Sequence, residues 1–134
     1  MRSTRIVTSF IKNNNKILVL KRSNKVKTMK GLWSGVSGII ENNEKPLDRA
    51  IIEIYEELGI QKDKIIILKS KENIKISSPQ YENHEWEVFS YLFETKETKI
   101  KLNWENSEFR WISANELKNY ETVPNLNQIL INLL

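Results

Sequence analysis

The chain has 134 residues, the length of one domain, and with 40% hydrophobic and 28% charged residues it has the composition of a globular protein able to bury a core unaided. It contains no cysteine, which excludes a disulfide framework, a cysteine-ligated zinc site and a thiol nucleophile. A formal net charge of +4 mildly favours anionic ligands without demanding nucleic acid.

The first residues, Met1 to Phe10, are interrupted by Arg2, Thr4 and Arg5, which breaks the apolar core a signal peptide needs. The aliphatic run Ile65-Ile66-Ile67-Leu68 falls far short of the roughly 18 residues that span a bilayer. The expectation is a cytoplasmic protein with no membrane partner. Arg5 to Ile11 and Lys16 to Arg22 read as two strands of a hairpin joined through Asn13-Asn14-Asn15, since asparagine tolerates the positive φ of hairpin turns. Polar Ser23 to Gly31 reads as a loop, and Leu32 to Ile40 as a strand with glycine interruptions. Pro46 suits a first helical turn and Gly59 the left-handed position past a helix end, with Leu47, Ala50, Ile51, Ile54 and Leu58 at helical spacing between them. Lys64 to Leu68, Glu85 to Thr95 and Glu108 to Ile112 read as further strands. Two helices are expected to finish the chain, one capped by Ser113 with Glu116, the other over Leu126 to Leu134. Strands, helix, strands and helices in that order argue for one mixed α/β or α+β layer structure.

The chemistry gathers on the central helix. At about 100° per residue, Leu47, Ala50, Ile51, Ile54 and Leu58 are read as an apolar arc, with Glu53, Glu56 and Glu57 roughly opposite. Glu53 is followed four residues later by Glu57, a like-charge pair that costs a few tenths of a kcal/mol. Glu56 and Glu57 also lie in the last turn, where the helix dipole disfavours each anion by about 0.3–1 kcal/mol. A solvated acidic face is one explanation, because glutamate is a good helix former. A bound divalent cation is the other, since Mg²⁺ takes carboxylate oxygens and is completed by water and substrate phosphates.

From Gly38 the chain reads Gly38, five residues, Glu44, seven residues, Ile52, Glu53, Ile54, Tyr55, Glu56, Glu57, Leu58, Gly59, Ile60. This resembles the Nudix box, G-x5-E-x7-R-E-U-x-E-E-x-G-U with U aliphatic, at every fixed position except the arginine, which is Ile52. Glu108-Phe109-Arg110-Trp111 is similar to an E-x-x-W strand common in that family. The resemblance implies the Nudix fold over residues 1–134, a mixed β-sheet sandwiched between α-helices. It also implies Mg²⁺- or Mn²⁺-dependent hydrolysis of a nucleoside diphosphate linked to another moiety, or of a nucleoside triphosphate. By the same resemblance Glu53, Glu56 and Glu57 are metal ligands, the Gly38 carbonyl is a further ligand, and Glu44 supports the box through hydrogen bonds. Family members place the general base either in the box or on a later loop, which makes Glu105 and Glu108 candidates beside the box glutamates.

Two departures stand out. The box arginine helps hold the glutamates and Ile52 cannot, so a catalytically impaired nucleotide-binding module is the alternative function. Arg49, four residues before Glu53, is a candidate to supply that charge, against an ordinary surface pair. Val36-Ser37-Gly38 stands where many members have Pro-Gly-Gly, which alters loop flexibility more than ligand chemistry. For substrate, Arg22 is a candidate phosphate contact, and Trp33, Tyr81, Trp86 and Trp104 are candidates for stacking on a base, with burial in the core the competing expectation for each. His84 has no metal-ligand partner at a recognisable spacing and is read as a loop residue. The expected partner is a small nucleotide or other diphosphate. A homodimer is compatible with the sequence, whereas scattered lysines without an RNA-binding motif argue against nucleic acid despite a pI near 9.2.

Overall fold

The computed structural model describes residues 2–77 and 83–134; Tyr81 lies outside them. A seven-stranded sheet carries two α-helices. In chain order the elements are β1 (Arg2–Asn13), β2 (Lys16–Arg22), β3 (Trp33–Ser34), β4 (Val36–Ile39), α1 (Pro46–Leu58), β5 (Ile65–Ser77), β6 (His84–Thr95), β7 (Asn106–Ile112) and α2 (Leu126–Leu133). Two 3₁₀ turns, Lys62–Lys64 and Ala114–Asn119, complete it. The second is where a helix was expected after Ser113; the Glu116 carboxylate does accept the Ser113 backbone N–H at 2.9 Å, but the segment winds only as 3₁₀.

The Asn-rich turn forms, with Asn14 at φ 54°, yet only its mouth is a hairpin: β1 and β2 pair at Lys12 with Ile17 and Asn13 with Lys16. Beyond that the strands part company. β4 takes β2's place beside β1 from Ile6 to Ser9, while β2 pairs with β7 and β3. On its other edge β1 runs parallel to β6 and the rest of the ladder is antiparallel, so the sheet is mixed and the fold is of the α+β class. The expected single strand Leu32 to Ile40 is broken at Gly35, where a Cβ would come within 2.6 Å of the Ser9 carbonyl oxygen. β5 runs well past its expected end at Leu68, and His84 opens β6 instead of lying in a loop.

Strand periodicity sends alternate residues to opposite faces. Val7, Ile11, Leu18, Leu20, Phe89 and Phe93 meet Ala50, Ile54 and Leu58 of α1. Phe10, Ile17, Val19, Val88 and Leu92 meet Leu126, Ile129, Leu130 and Leu133 of α2. Both faces are therefore covered. α1 begins at Pro46 and ends at Gly59, whose φ of 74° and N–H to the Tyr55 carbonyl close the helix as a left-handed cap.

The apolar stripe of α1 is narrower than the spacing suggests: Ala50, Ile54 and Leu58 are fully buried, but Leu47 is 37% exposed. Ile54→Ala should accordingly cost about 2–5 kcal/mol in urea-unfolding free energy, whereas Leu47→Ala should cost less than about 1 kcal/mol. Equal losses would contradict this placement of the helix.

Candidate active site

The arc opposite the apolar stripe is not where two of the three helix glutamates lie. Glu53 and Glu57 are buried, flanking Ala50 and Ile54 on the face turned to the sheet, and only Glu56 is exposed. Glu57 follows Ala50 by seven residues, nearly two full turns, so it must point the same way. Glu53 lies close to β4 because Gly38 leaves room: a Cβ there would collide with the Glu53 side chain. Carboxylate oxygens of Glu53, Glu57 and Glu105 lie within 4.8 Å of one another.

Each carboxylate is held by a specific neighbour. The Arg49 guanidinium donates to Glu44 Oε1 at 3.0 Å and Oε2 at 2.6 Å, and to Glu53 Oε2 at 3.1 Å. Glu44 also accepts the Glu41 backbone N–H at 2.7 Å. One arginine thus ties the loop before α1 to the first buried glutamate, and its bond to Glu44 above all raises the Arg49 pKa while holding the Glu44 carboxyl below its ordinary value. Glu57 Oε1 accepts the Asn106 side-chain N–H at 3.1 Å. Its Oε2 is buried without a partner among the described residues. Glu105 sits in the turn before β7, with its Oε1 accepting the Asn103 side-chain N–H at 3.1 Å and its backbone N–H donating to Asn103 Oδ1 at 3.0 Å. Asn103 and Asn106 carry no helical periodicity and no motif, so the sequence offered no signal for either.

Burial pushes the Glu57 carboxyl well above the usual carboxylate range, and the charges of Glu105 and Glu53 add to the push. Glu53 is raised as well, chiefly by burial, with Glu56 and Glu105 adding to it, although the neighbouring Glu57 carboxyl and, after it, Arg49 oppose this. Hard oxygen donors converging around one unpartnered buried oxygen fit a divalent cation such as Mg²⁺ or Mn²⁺.

The cluster opens onto a cavity of about 670 Å³. β1, β4 and β6 form its floor through Ile6, Ile39 and Trp86, and α2 contributes Leu126 and Ile129. Gly38, Arg49, Glu53, Glu56 and Glu105 line the same space, as do Arg22, His84 and Trp104. The Arg22 guanidinium donates twice to the Thr28 carbonyl, at 3.2 and 3.0 Å. His84 Nε2 lies 2.8 Å from Thr4 Oγ1, and its ring centroid is 4.5 Å from that of Trp86. Two candidates fall elsewhere. Trp33 is 7% exposed, packed edge-on against Tyr120 in the α2-side core, because alternation along β3 turns it inward and not toward a ligand. Glu108 pairs with Arg110 at 3.3 Å on β7 and does not line the cavity. Ile52 is 39% exposed and also outside the lining.

The family model for the NUDIX domain matches residues 2–133. The chain belongs to this family. Solved structures with the same fold include a C. elegans Ap4A hydrolase binary complex, 15% identical, covering 96% of this chain and 93% of that one at a TM-score of 0.77. A MutT protein from Methanosarcina mazei Go1 is 21% identical, with 98% and 92% covered and a TM-score of 0.76. The NUDIX domain of Shewanella oneidensis NrtR, complexed with ADP ribose, is 14% identical, with 98% and 86% covered and a TM-score of 0.74. Among curated proteins no sequence match is found. This NUDIX chain has no helix long and apolar enough to cross a membrane among its described residues.

An acid whose folded pKa is raised holds its proton more tightly folded than unfolded, so its contribution to stability is lost as pH climbs from the unfolded value through the folded one. Without divalent cations, the melting temperature should therefore fall as pH rises above the ordinary glutamate range, and Glu57→Gln should flatten that fall and raise the melting temperature at neutral pH. A Glu57→Gln variant that is less stable than wild type at neutral pH would show that the buried charge is not the cost.

Proposed function

We propose that this NUDIX chain hydrolyses a phosphoanhydride bond in a nucleoside diphosphate derivative or nucleoside triphosphate, with Mg²⁺ or Mn²⁺ held by Glu53, Glu57 and Glu105. The observation that carries this reading is the convergence of those three carboxylates, one with a buried oxygen lacking a protein partner, at the edge of a nucleotide-sized cavity. When bound, the cation would neutralise phosphate oxygens and acidify a water molecule.

The chain's own groups have separable tasks. Arg49 fixes Glu53 and Asn106 fixes Glu57, so the ligand oxygens are oriented before substrate arrives. The Gly38 carbonyl, on the strand against Glu53, is a further ligand position that the family resemblance implies. Glu56, a metal-ligand position by the family resemblance, lies outside the three-carboxylate cluster but lines the cavity, and with Glu105 taken up by the cation it is the carboxylate we assign to accept the proton of the attacking water. Arg22 lies on the same lining as a contact for the substrate's phosphates. The apolar floor and Trp86 receive the organic half of the substrate. Arg49 meets both Glu44 and Glu53, which is the orienting work assigned to the box arginine, so the isoleucine at position 52 gives no reason to favour the impaired-module alternative.

Incubation with Mg²⁺ and a panel of nucleoside triphosphates, sugar nucleotides and dinucleoside polyphosphates should release monophosphate or inorganic phosphate species. Glu57→Gln should lower turnover by about 10²–10⁴-fold, the scale of a few kcal/mol of transition-state stabilisation. No turnover on any member by folded wild-type protein would reject the reading. In a second comparison, Arg49→Ala should reduce turnover far more than its measured loss of folding stability accounts for, and Ile52→Arg should restore part of the loss. Unchanged turnover in Arg49→Ala would mean that the glutamates are held some other way.

A further inference from the structure

Glu105 differs from the helix glutamates in that no regular element carries it: it stands in the turn just before β7. Among the described residues, one residue of another loop, Ser23, makes two hydrogen bonds that hold that turn from outside. Ser23 follows the last residue of β2, where a register shift between Lys21 and Arg22 interrupts the pairing with β7. There its backbone N–H donates to the Glu105 carbonyl at 2.8 Å and its hydroxyl donates to the Trp104 carbonyl at 2.7 Å. The same hydroxyl accepts the Lys25 backbone N–H at 3.2 Å, so its donor and acceptor capacity are both used. Ser23 is 9% exposed and Val26, three residues on, is 7% exposed, which anchors this side of the contact in the protein body.

We propose that Ser23 is a positioning residue whose grip on the Trp104 and Glu105 carbonyls delivers the Glu105 carboxylate to Glu53 and Glu57 and so sets the cluster's affinity for a divalent cation. This rests on the reading that the three carboxylates hold such a cation. Two adjacent carbonyls bound by one residue fix the position and the rotation of the turn, and Asn103 then fixes the carboxylate itself through its bond to Oε1. Glu57 feels the same turn from its far end, since Asn106 is the first residue of β7. Because Arg22 lines the cavity and its neighbour Ser23 holds the glutamate turn, a phosphate contact at one is mechanically adjacent to the ligand placement at the other.

The test is Mn²⁺ titration calorimetry on the full chain as wild type, Ser23→Ala, Ser23→Thr, Glu105→Gln and the Ser23→Ala/Glu105→Gln double variant, with melting temperatures taken without metal. Ser23→Ala should weaken Mn²⁺ binding by about 10-fold or more, the usual size of an outer-shell effect on a metal site, while Ser23→Thr, which keeps the hydroxyl, should stay within about 3-fold on the same scale. In the Glu105→Gln background the alanine substitution should add nothing, because the serine acts through that carboxylate. With a turned-over substrate, Ser23→Ala should lower kcat at unchanged KM. Should the alanine variant fail to fold, Ser23→Cys keeps the volume, weakens the hydroxyl bond and carries the same expectation. Wild-type affinity in Ser23→Ala, an equal loss in Ser23→Thr, or a further loss in the double variant would overturn the positioning role. Absence of Mn²⁺ binding by the wild-type chain would instead overturn the cation reading, and the positioning role with it.

Discussion

Two carboxylates turned toward the sheet, Glu53 and Glu57, impose the condition around which the rest of this end of the molecule is arranged. Taking acids of like charge out of water is unfavourable unless each is paired, protonated or bound to a cation. The surroundings supply part of the remedy. Arg49 compensates Glu53, Asn106 solvates one oxygen of Glu57, and the absent side chain of Gly38 makes the close approach of β4 sterically allowed. What they leave over, one buried Glu57 oxygen without a partner among the described residues and beside a third carboxylate, is the feature on which the proposed cation site rests.

This arrangement depends on contacts between segments far apart in the chain. β4 stands beside β1 only because the β1–β2 hairpin separates after its first pairs; β3 takes the freed edge of β2, and β7 pairs along the opposite edge. The β7 pairing carries the Glu105 turn to the helix glutamates, although Asn106, at the end of that turn, lies 49 positions after Glu57. The sheet therefore does more than cover a core: the β1–β4 pairing on one side and the β2–β7 pairing on the other bring the two halves of the carboxylate cluster together.

Much of this was legible from the residues. Pro46 and Gly59 bound α1 because one suits its first turn and the other adopts φ of 74° at its close without the steric cost of a Cβ, and both constraints are local. The box spacing marks the helix glutamates for the same reason. Local signals fail where tertiary contacts decide. Spacing itself sets Glu57, nearly two full turns from Ala50, beside the apolar arc, and only the expectation that a glutamate seeks water assigns it to the polar face. Trp33 and Trp86 look alike as sequence, and only the pairing of their strands sends one into the core and the other to the cavity. Ser23, Asn103 and Asn106 work through a few hydrogen bonds in loops and at a strand end and leave no periodic trace.

The cavity wall has a different origin from the carboxylates. The acidic groups hang on α1 and one turn, fixed by charge and hydrogen bonds, whereas the facing wall is built from apolar side chains of β1, β6 and α2. Leu126 and Ile129 are packed in the core and also face the cavity, so a change in their size would recontour the ligand volume without moving an acid. Under the proposed function, the molecule separates the groups that would react from the surface that would recognise a ligand. Divergence in ligand preference can proceed by resurfacing one wall while the chemistry on the other is inherited intact.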